Sequence, residues 1–254
     1  MMMQGRSALL ASAVVLGLAA AGGVARAQSE AETTTEPEAQ SAPEASTAAA
    51  EASTAAASCP VTHQALKGAL NRAVEKVSSG FNNEMWAVVV NRAGVVCAVA
   101  FSGDSRTDQW LLSRQIAAAK AFTANGLSLD IDGSGSGPLS TAQLYPLVQP
   151  GGILFGLAEG NPLDPRAAYA GAIGRFGRPD DPMVGKRVGG TITFGGGLGL
   201  YTGGKNAVGG LGLSGDTSCA DDEIARKVRQ NLGLVPSKSD EAQFGSEPGQ
   251  HPAC

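Results

Sequence analysis

Three short stretches have the spacing of known ligand loops, and each lacks something its chemistry needs. GLGLSG at 210–215 reads as G-x-G-x-x-G. A dinucleotide loop places those glycines at the start of a βαβ unit, with the pyrophosphate on the helix N-terminus and an acid at the end of the next strand. Here no further strand pattern follows, only one helical segment and a polar tail. GLYTGGK at 199–205 fits G-x-x-x-x-G-K, but Asn206 stands where a Ser or Thr would hold magnesium. A hairpin turn that needs positive φ accounts for those glycines. DIDGSG at 130–135 matches the opening of an EF-hand loop, yet its twelfth place is Thr141, where calcium needs a bidentate Glu.

Acid–base and nucleophilic chemistry find little more. The two histidines, His63 and His251, have no evident partner, no G-x-S-x-G is present, and Ser214 has no assignable base. Asp180-Asp181 and Asp221-Asp222 are sequence neighbours, so neither pair faces itself across a cleft. No catalytic residue is assigned. Lys120 and Thr123 stand three apart on one expected helix face and can address one ligand, with Arg114 about two turns earlier, within reach of an anionic group.

The elements that would carry these residues follow from periodicity. A first helix is expected from Thr62 to about Ser79, with Leu66, Leu70, Ala73, Val74 and Val77 on one stripe. MWAVVVNRAGVVCAVAF at 85–101 reads as a hairpin. Asp108 is expected to cap a second helix whose Leu112, Ile116, Ala119 and Phe122 face inward and which Asn125-Gly126 ends in a left-handed conformation. A weaker helix is expected at 141–148, against the presence of Pro146. TITFGGGLGLY and VGGLGLS read as two strands joined by TGGKNA, and Ser218 to Leu232 as a closing helix with Ile224, Val228 and Leu232 inward. Thirteen glycines between Gly185 and Gly215 exceed what turns require. Strand glycines let another backbone or a flat ligand come close.

Composition frames these elements. Residues 1–27 join Arg6, an apolar stretch and an A-R-A end, the pattern of a signal peptide cleaved before Gln28. Its apolar part is short and broken by glycine for a spanning helix, so no transmembrane anchor is expected after cleavage, and the destination is periplasmic or secreted. Residues 28–58 are rich in Ala, Glu, Ser, Thr and Pro, with EASTAAA twice in tandem, and read as a disordered acidic linker. The folded part spans 59–234, and 235–254 reads as a polar tail. From Cys59 onward, 17 Lys plus Arg balance 17 Asp plus Glu, which gives nucleic acid no basic stripe to bind. Cys59, Cys97, Cys219 and Cys254 form an even set with no C-x-x-C, read as up to two disulfides whose pairing is open.

Four stretches resemble one family. They are VVVNRAGVVCAV followed by FSGDSRTDQ, the helix SRQIAAAKAFTAN with its Lys-Ala-x-Thr-Ala core, the Gly-Gly strand region, and GGKNAVGGLGLSGDTSCADDEIARK. Together they resemble the GlcG/HbpS-like haem-binding proteins, also called the haem-degrading domain family, over roughly Thr62 to Gly233, with an insertion near 157–190 where the segment is longer than the family's linker. The resemblance implies an α+β fold, an antiparallel sheet flanked by helices, assembly into a homo-oligomer, and binding of haem or a comparable flat anionic molecule. Storage, sensing or slow degradation of haem would follow. Haem needs an apolar slot, axial ligands and cations for its propionates. The expected cofactor-binding residues are Lys120, Thr123, Arg114 and His63; His251, Met85, Tyr145, Tyr169 and Tyr201 are further axial candidates. Covalent attachment is excluded, because there is no CxxCH. The competing reading is a non-catalytic periplasmic accessory protein, in which the glycines serve close packing and the fold binds a partner or a small organic acid.

Overall fold

The computed structural model describes residues 58–75, 79–134 and 136–254. The expected leader, the acidic linker through residue 57 and the last part of the expected first helix at 76–78 lie outside the described residues. Helix α1 (His63–Val74) precedes the hairpin β1 (Trp86–Asn91) and β2 (Val96–Phe101), and α2 (Ser113–Leu127) follows. Short helices α3 (Thr141–Leu144) and α4 (Pro165–Tyr169) lie in a turn-rich stretch before β3 (Gly197–Thr202), β4 (Asn206–Ser214) and α5 (Ser218–Asn231). The strands form one antiparallel sheet in the order β2-β1-β4-β3. The fold is therefore α+β.

Each face of the sheet is covered. Ala87, Val89, Leu211 and Leu213 meet α1 and α5 through Leu66, Leu70, Ile224 and Val228. Trp86, Val88 and Val90 meet α2 through Ala117, Ala118 and Ala121. Thr62 caps α1 and Thr217 caps α5, each accepting a backbone N–H of the first turn.

The opposite sides of β4 differ in size. Leu211 and Leu213 point to α1 and α5, whereas Gly210 and Gly212 point to α2, where a methyl group on either would overlap the carbonyl oxygen of Ala121 or Ala117. On β3, a methyl on Gly197 would stand 2.8 Å from the carbonyl of Lys120. The glycines thus admit a backbone, and it is the chain's own. This explains why the expected inward face of α2 is corrected. Ala117, Ala118, Ala121 and Ala124 are buried, Ile116 and Phe122 are half-buried, and Leu112 is 59% exposed. Large side chains cannot sit between two backbones in contact.

Other local expectations also shift. Asp108 does not cap α2; its carboxylate accepts the Ser105 N–H at 2.8 Å, and the helix begins at Ser113. Gly126 remains inside α2 in the right-handed region, and the helix ends past it, at Leu127. The 141–148 segment divides at Pro146 into α3 and a 3-10 turn at Pro146–Val148. Residues 191–196 precede β3 without joining a strand. The disulfides are Cys59–Cys97 and Cys219–Cys254, which fasten the start of the folded part to β2 and its end to α5.

A buried ion pair ties α2 to α5. Lys120 Nζ donates to Asp221 Oδ2 at 2.6 Å and to the Leu213 carbonyl at 3.0 Å, with the Phe194 ring 4.7 Å away. Asp221 Oδ1 accepts the Gly215 and Asp216 N–H groups, both at 3.1 Å. Burial pushes the Asp221 carboxyl up to about 6, with Lys120 opposing the shift, and burial lowers the Lys120 ammonium.

Two predictions follow from this packing. Gly212→Ala should destabilise by about 3 kcal/mol by forcing α2 off the sheet, whereas Gly126→Ala, with open space around it, should stabilise by roughly 0.5–1 kcal/mol; denaturant melts of the two variants check the contrast. Lys120→Met strands a buried carboxylate and should cost about 3–5 kcal/mol at pH 7. Without its cation Asp221 titrates higher still in the folded state than in the unfolded one. Folding then takes up a proton, so this cost should shrink as pH falls from 7 toward 4. Melts across that range read the slope.

Candidate functional site

The first turn of α2, the loop before it and the 165–176 segment enclose a cleft of about 330 Å³. It opens at the end of the sheet where β1 begins and β2 ends. Its floor is Trp86, stacked on Phe101 with ring centroids 4.6 Å apart. Its walls are Leu111, Leu112, Ile173, Phe176 and Tyr169, and Arg106 and Gln109 contribute polar groups. Leu111 and Leu112 are 63% and 59% exposed and Ile173 is 53% exposed, next to an exposed Trp110. An apolar rim of this kind marks a contact site on a folded domain.

Arg114 holds the cleft together. Its guanidinium donates to both Asp181 oxygens at 2.8 and 2.6 Å and to the Ala168 carbonyl at 2.8 Å, while lying between the rings of Phe176 and Trp86 at 3.9 and 5.0 Å. The Asp181 carboxylate is further held by the Gly177 and Met183 N–H groups. This bidentate, stacked arrangement fixes the 165–183 segment against α2. Its charge is neutralised inside the protein. Arg106, by contrast, has no ion-pair partner among the described residues and stays exposed. The buried side-chain polar atoms without a partner among the described residues are Trp86 Nε1, Gln109 Oε1 and Ser113 Oγ. Two of these residues line the cleft and the third belongs to the first turn of α2 beside it. Buried polar groups are nearly always paired, so three orphans in one place point to a missing partner.

Of the further axial candidates Tyr169 lines this cleft, and the other residues singled out in the sequence lie apart from it. Lys120 is in the ion pair with Asp221. Thr123 Oγ1 donates to the Ala119 carbonyl at 2.8 Å and accepts the Ile192 N–H at 3.0 Å, so it ties the 190–192 segment to α2. His63 is half-buried, and its Nδ1 faces the Val99 carbonyl at 2.9 Å on the edge strand β2. Met85 is buried in the α1/α5 core, and the Tyr201 hydroxyl donates to the Leu129 carbonyl. His251 is not frayed but 3% exposed, packed against Tyr145 and Phe244. Of the four expected cofactor contacts, the cleft includes Arg114 alone.

The signal missed in the sequence was the run Trp110-Leu111-Leu112. It reads as the start of a helix stripe, and the structure leaves all three residues outside the helix and exposed. Among oxygen donors in the cleft, Tyr169 gives its hydroxyl proton to the Leu111 carbonyl at 3.0 Å, and burial raises its phenol, which keeps it neutral. The calcium-like loop uses its acids locally: Asp130 accepts the Ala207 N–H and Asp132 accepts from Ser134. No group of three or more metal-ligating side chains occurs among the described residues.

Comparison with known proteins adds the family. Two solved structures are similar to this chain at a low level: the complex of PduOC with heme (20% identity, 69% of this chain and 94% of that one, TM-score 0.46) and Klebsiella pneumoniae protein ORFY (20% identity, 69% and 92%, TM-score 0.45). No curated protein sequence matches the chain. A family model described as haem degrading protein HbpS-like matches residues 61–230, from the start of α1 to the end of α5. The chain belongs to the HbpS-like haem-degrading protein family.

Proposed function

We propose that this chain is an exported haem-binding protein whose flat ligand enters the Trp86–Ile173 cleft. The observation that carries the reading is the coincidence of an exposed apolar rim with two buried, unpartnered polar groups of cleft-lining residues, Trp86 Nε1 and Gln109 Oε1, and a third, Ser113 Oγ, beside it, in a member of a haem-degrading family. The cleft suits a porphyrin's body and edge. Leu111, Leu112, Ile173 and Phe176 offer apolar walls, and Arg106, exposed and without an ion-pair partner among the described residues, can meet a propionate. Haem bound there would supply a redox-active iron.

The donor set makes a narrower statement about that iron. The cleft offers it only oxygen, from Tyr169 or Gln109, and no histidine, cysteine or methionine. Neutral Tyr169 is a weak axial ligand. Recognition therefore rests on the ring and its acids, and the chain's residues act by packing, by excluding water from one ring face and by holding an anionic edge. Assembly into a homo-oligomer would cover the rest of the Trp110–Leu112 rim. Export agrees with the two disulfides, and no helix among the described residues is long and apolar enough to cross a membrane.

The test is a titration of the mature chain with haemin, followed at the Soret band, and with metal-free protoporphyrin IX, followed by its emission. The two should bind within about tenfold of each other, or about 1.4 kcal/mol. Ile173→Glu should weaken both by tenfold or more, Arg106→Ala by about threefold to fivefold, and His63→Ala should change neither. Loss of haemin binding in His63→Ala alone would move the iron to the outer edge of β2 and overturn the cleft assignment.

A further inference from the structure

Past α5 the chain runs beside β3 and its turn, where the Tyr201 N–H donates to the Leu234 carbonyl and the Ser237 N–H to the Gly204 carbonyl, and it continues beyond the stretch that the family shares. Two anchors hold it. Asp240, 1% exposed, takes both Arg229 nitrogens at 2.6 and 2.7 Å and one Arg226 nitrogen at 3.1 Å. Eleven residues later comes His251, whose Nε2 accepts the Gly195 N–H at 3.2 Å while Nδ1 donates to the Pro252 carbonyl at 2.9 Å. Its ring lies 4.9 Å from Tyr145 and 4.6 Å from Phe244. Both imidazole nitrogens are thus in use. The hydrogen bonds of residues 243–250 stay within the segment, including a two-residue pairing of Phe244–Gly245 (β5) with His251–Pro252 (β6). Apart from His251, what fastens this segment to the body is the disulfide of Cys254, the last residue, with Cys219 in the first turn of α5.

That disulfide is reachable. Cys254 is exposed, and a cleft of about 450 Å³ opens beside it, lined by Cys219, Cys254, Phe244, Glu223 and Arg226. We infer that Cys219–Cys254 is a thiol-sensitive latch on a C-terminal strap, and that a small dithiol reductant opens it, releasing residues 243–254 and converting His251 from a buried plug into a free imidazole. A thiolate of the dithiol attacks one sulfur of the bond, and the other leaves as a thiolate that takes up a proton. The second thiol of the reductant then resolves the mixed disulfide, giving two cysteine thiols and the oxidised dithiol. Upstream, Asp240 keeps its three arginine contacts, so release stops there. The opening bares the Gly195 N–H and the face of Tyr145, and it presents an imidazole, a ligand for transition-metal ions.

Protonation acts in the same direction. Burial lowers the affinity of His251 for a proton; Lys120 on α2 adds to this and Asp222 on α5 opposes it. An imidazolium cannot accept the Gly195 N–H. The lowered value makes the seated strap stable above the ordinary imidazole range, with that contribution lost as pH falls through it. The latch holds the strap against this loss while it is oxidised. The inference does not depend on haem.

The chain has two histidines, so each ring proton can be followed by NMR through a pH titration. In the oxidised mature chain His251 should titrate below the ordinary value of about 6.5. In Cys219→Ser/Cys254→Ser it should return to within a few tenths of that value, and amides 243–252 should lose at least roughly tenfold of their exchange protection. Amides of β1 and α2 should keep their exchange protection, reporting an intact fold. Native chain treated with a dithiol and alkylated should carry label on Cys219 and Cys254 and match the double variant. Unchanged titration and protection of the strap in the double variant, or failure of those cysteines to label in the folded chain, would overturn the latch.

Discussion

Everything in this molecule is placed by the contact of two backbones. Gly210 and Gly212 on β4 face α2 without side chains, and α2 answers with Ala117 and Ala121, so carbonyl groups of the helix lie where methyl groups would otherwise stand. Such a contact removes most lateral freedom from the helix, because interiors packed this tightly do not deform by small amounts. It fixes Lys120 above the end of β4, where Asp221 can meet it, and it fixes Arg114 at the mouth of the sheet. The glycine-rich motif that imitates a dinucleotide loop is the docking surface of this helix.

The cleft is what the docking leaves over. α2 begins only at Ser113, so the apolar run just before it overhangs the sheet instead of lying on it. The turn-rich 157–190 region comes back toward this overhang and is pinned by the Arg114–Asp181 pair between Trp86 and Phe176. One side of the cleft is therefore rigid, built on the sheet and α2, and the other is a segment held by the buried Arg114–Asp181 pair, by the Tyr169 hydroxyl on the Leu111 carbonyl and by Ala168, Met183 and Val188 in the core. Removing either partner of that pair would leave a buried charge and free the wall together, so ligand affinity and local stability are coupled there.

Much of this was legible in the sequence. The hairpin at 86–101, the strands before and after Thr202 and the helix from Ser218 all follow their periodicity, because each buries an ordinary stripe of large apolar residues. The α2 face was not legible by the same rule, since its buried apolar stripe is alanine and its large apolar residues, Ile116 and Phe122, are only half-buried. Polar residues misled for a related reason. Lys120 and Thr123 are spaced to address one ligand, and the fold spends both on internal contacts made possible by strand glycines distant in sequence. His251 looked like part of a loose tail because nothing near it in the chain signals Gly195, Tyr145 or the Cys219 staple. Long-range pairings of this kind have no local pattern to read.

The central claim is that the ligand cleft lies between the α2 overhang and the 165–176 segment, and not over the helix face that carries Lys120 and Thr123. A crystal structure of the mature chain with haemin tests it most directly. The account predicts a porphyrin against Ile173, Leu112 and Phe176, one propionate at Arg106 and no imidazole on the iron. A ring seated against Lys120 and Thr123, with the Lys120–Asp221 pair broken, or one ligated by His63, would contradict it.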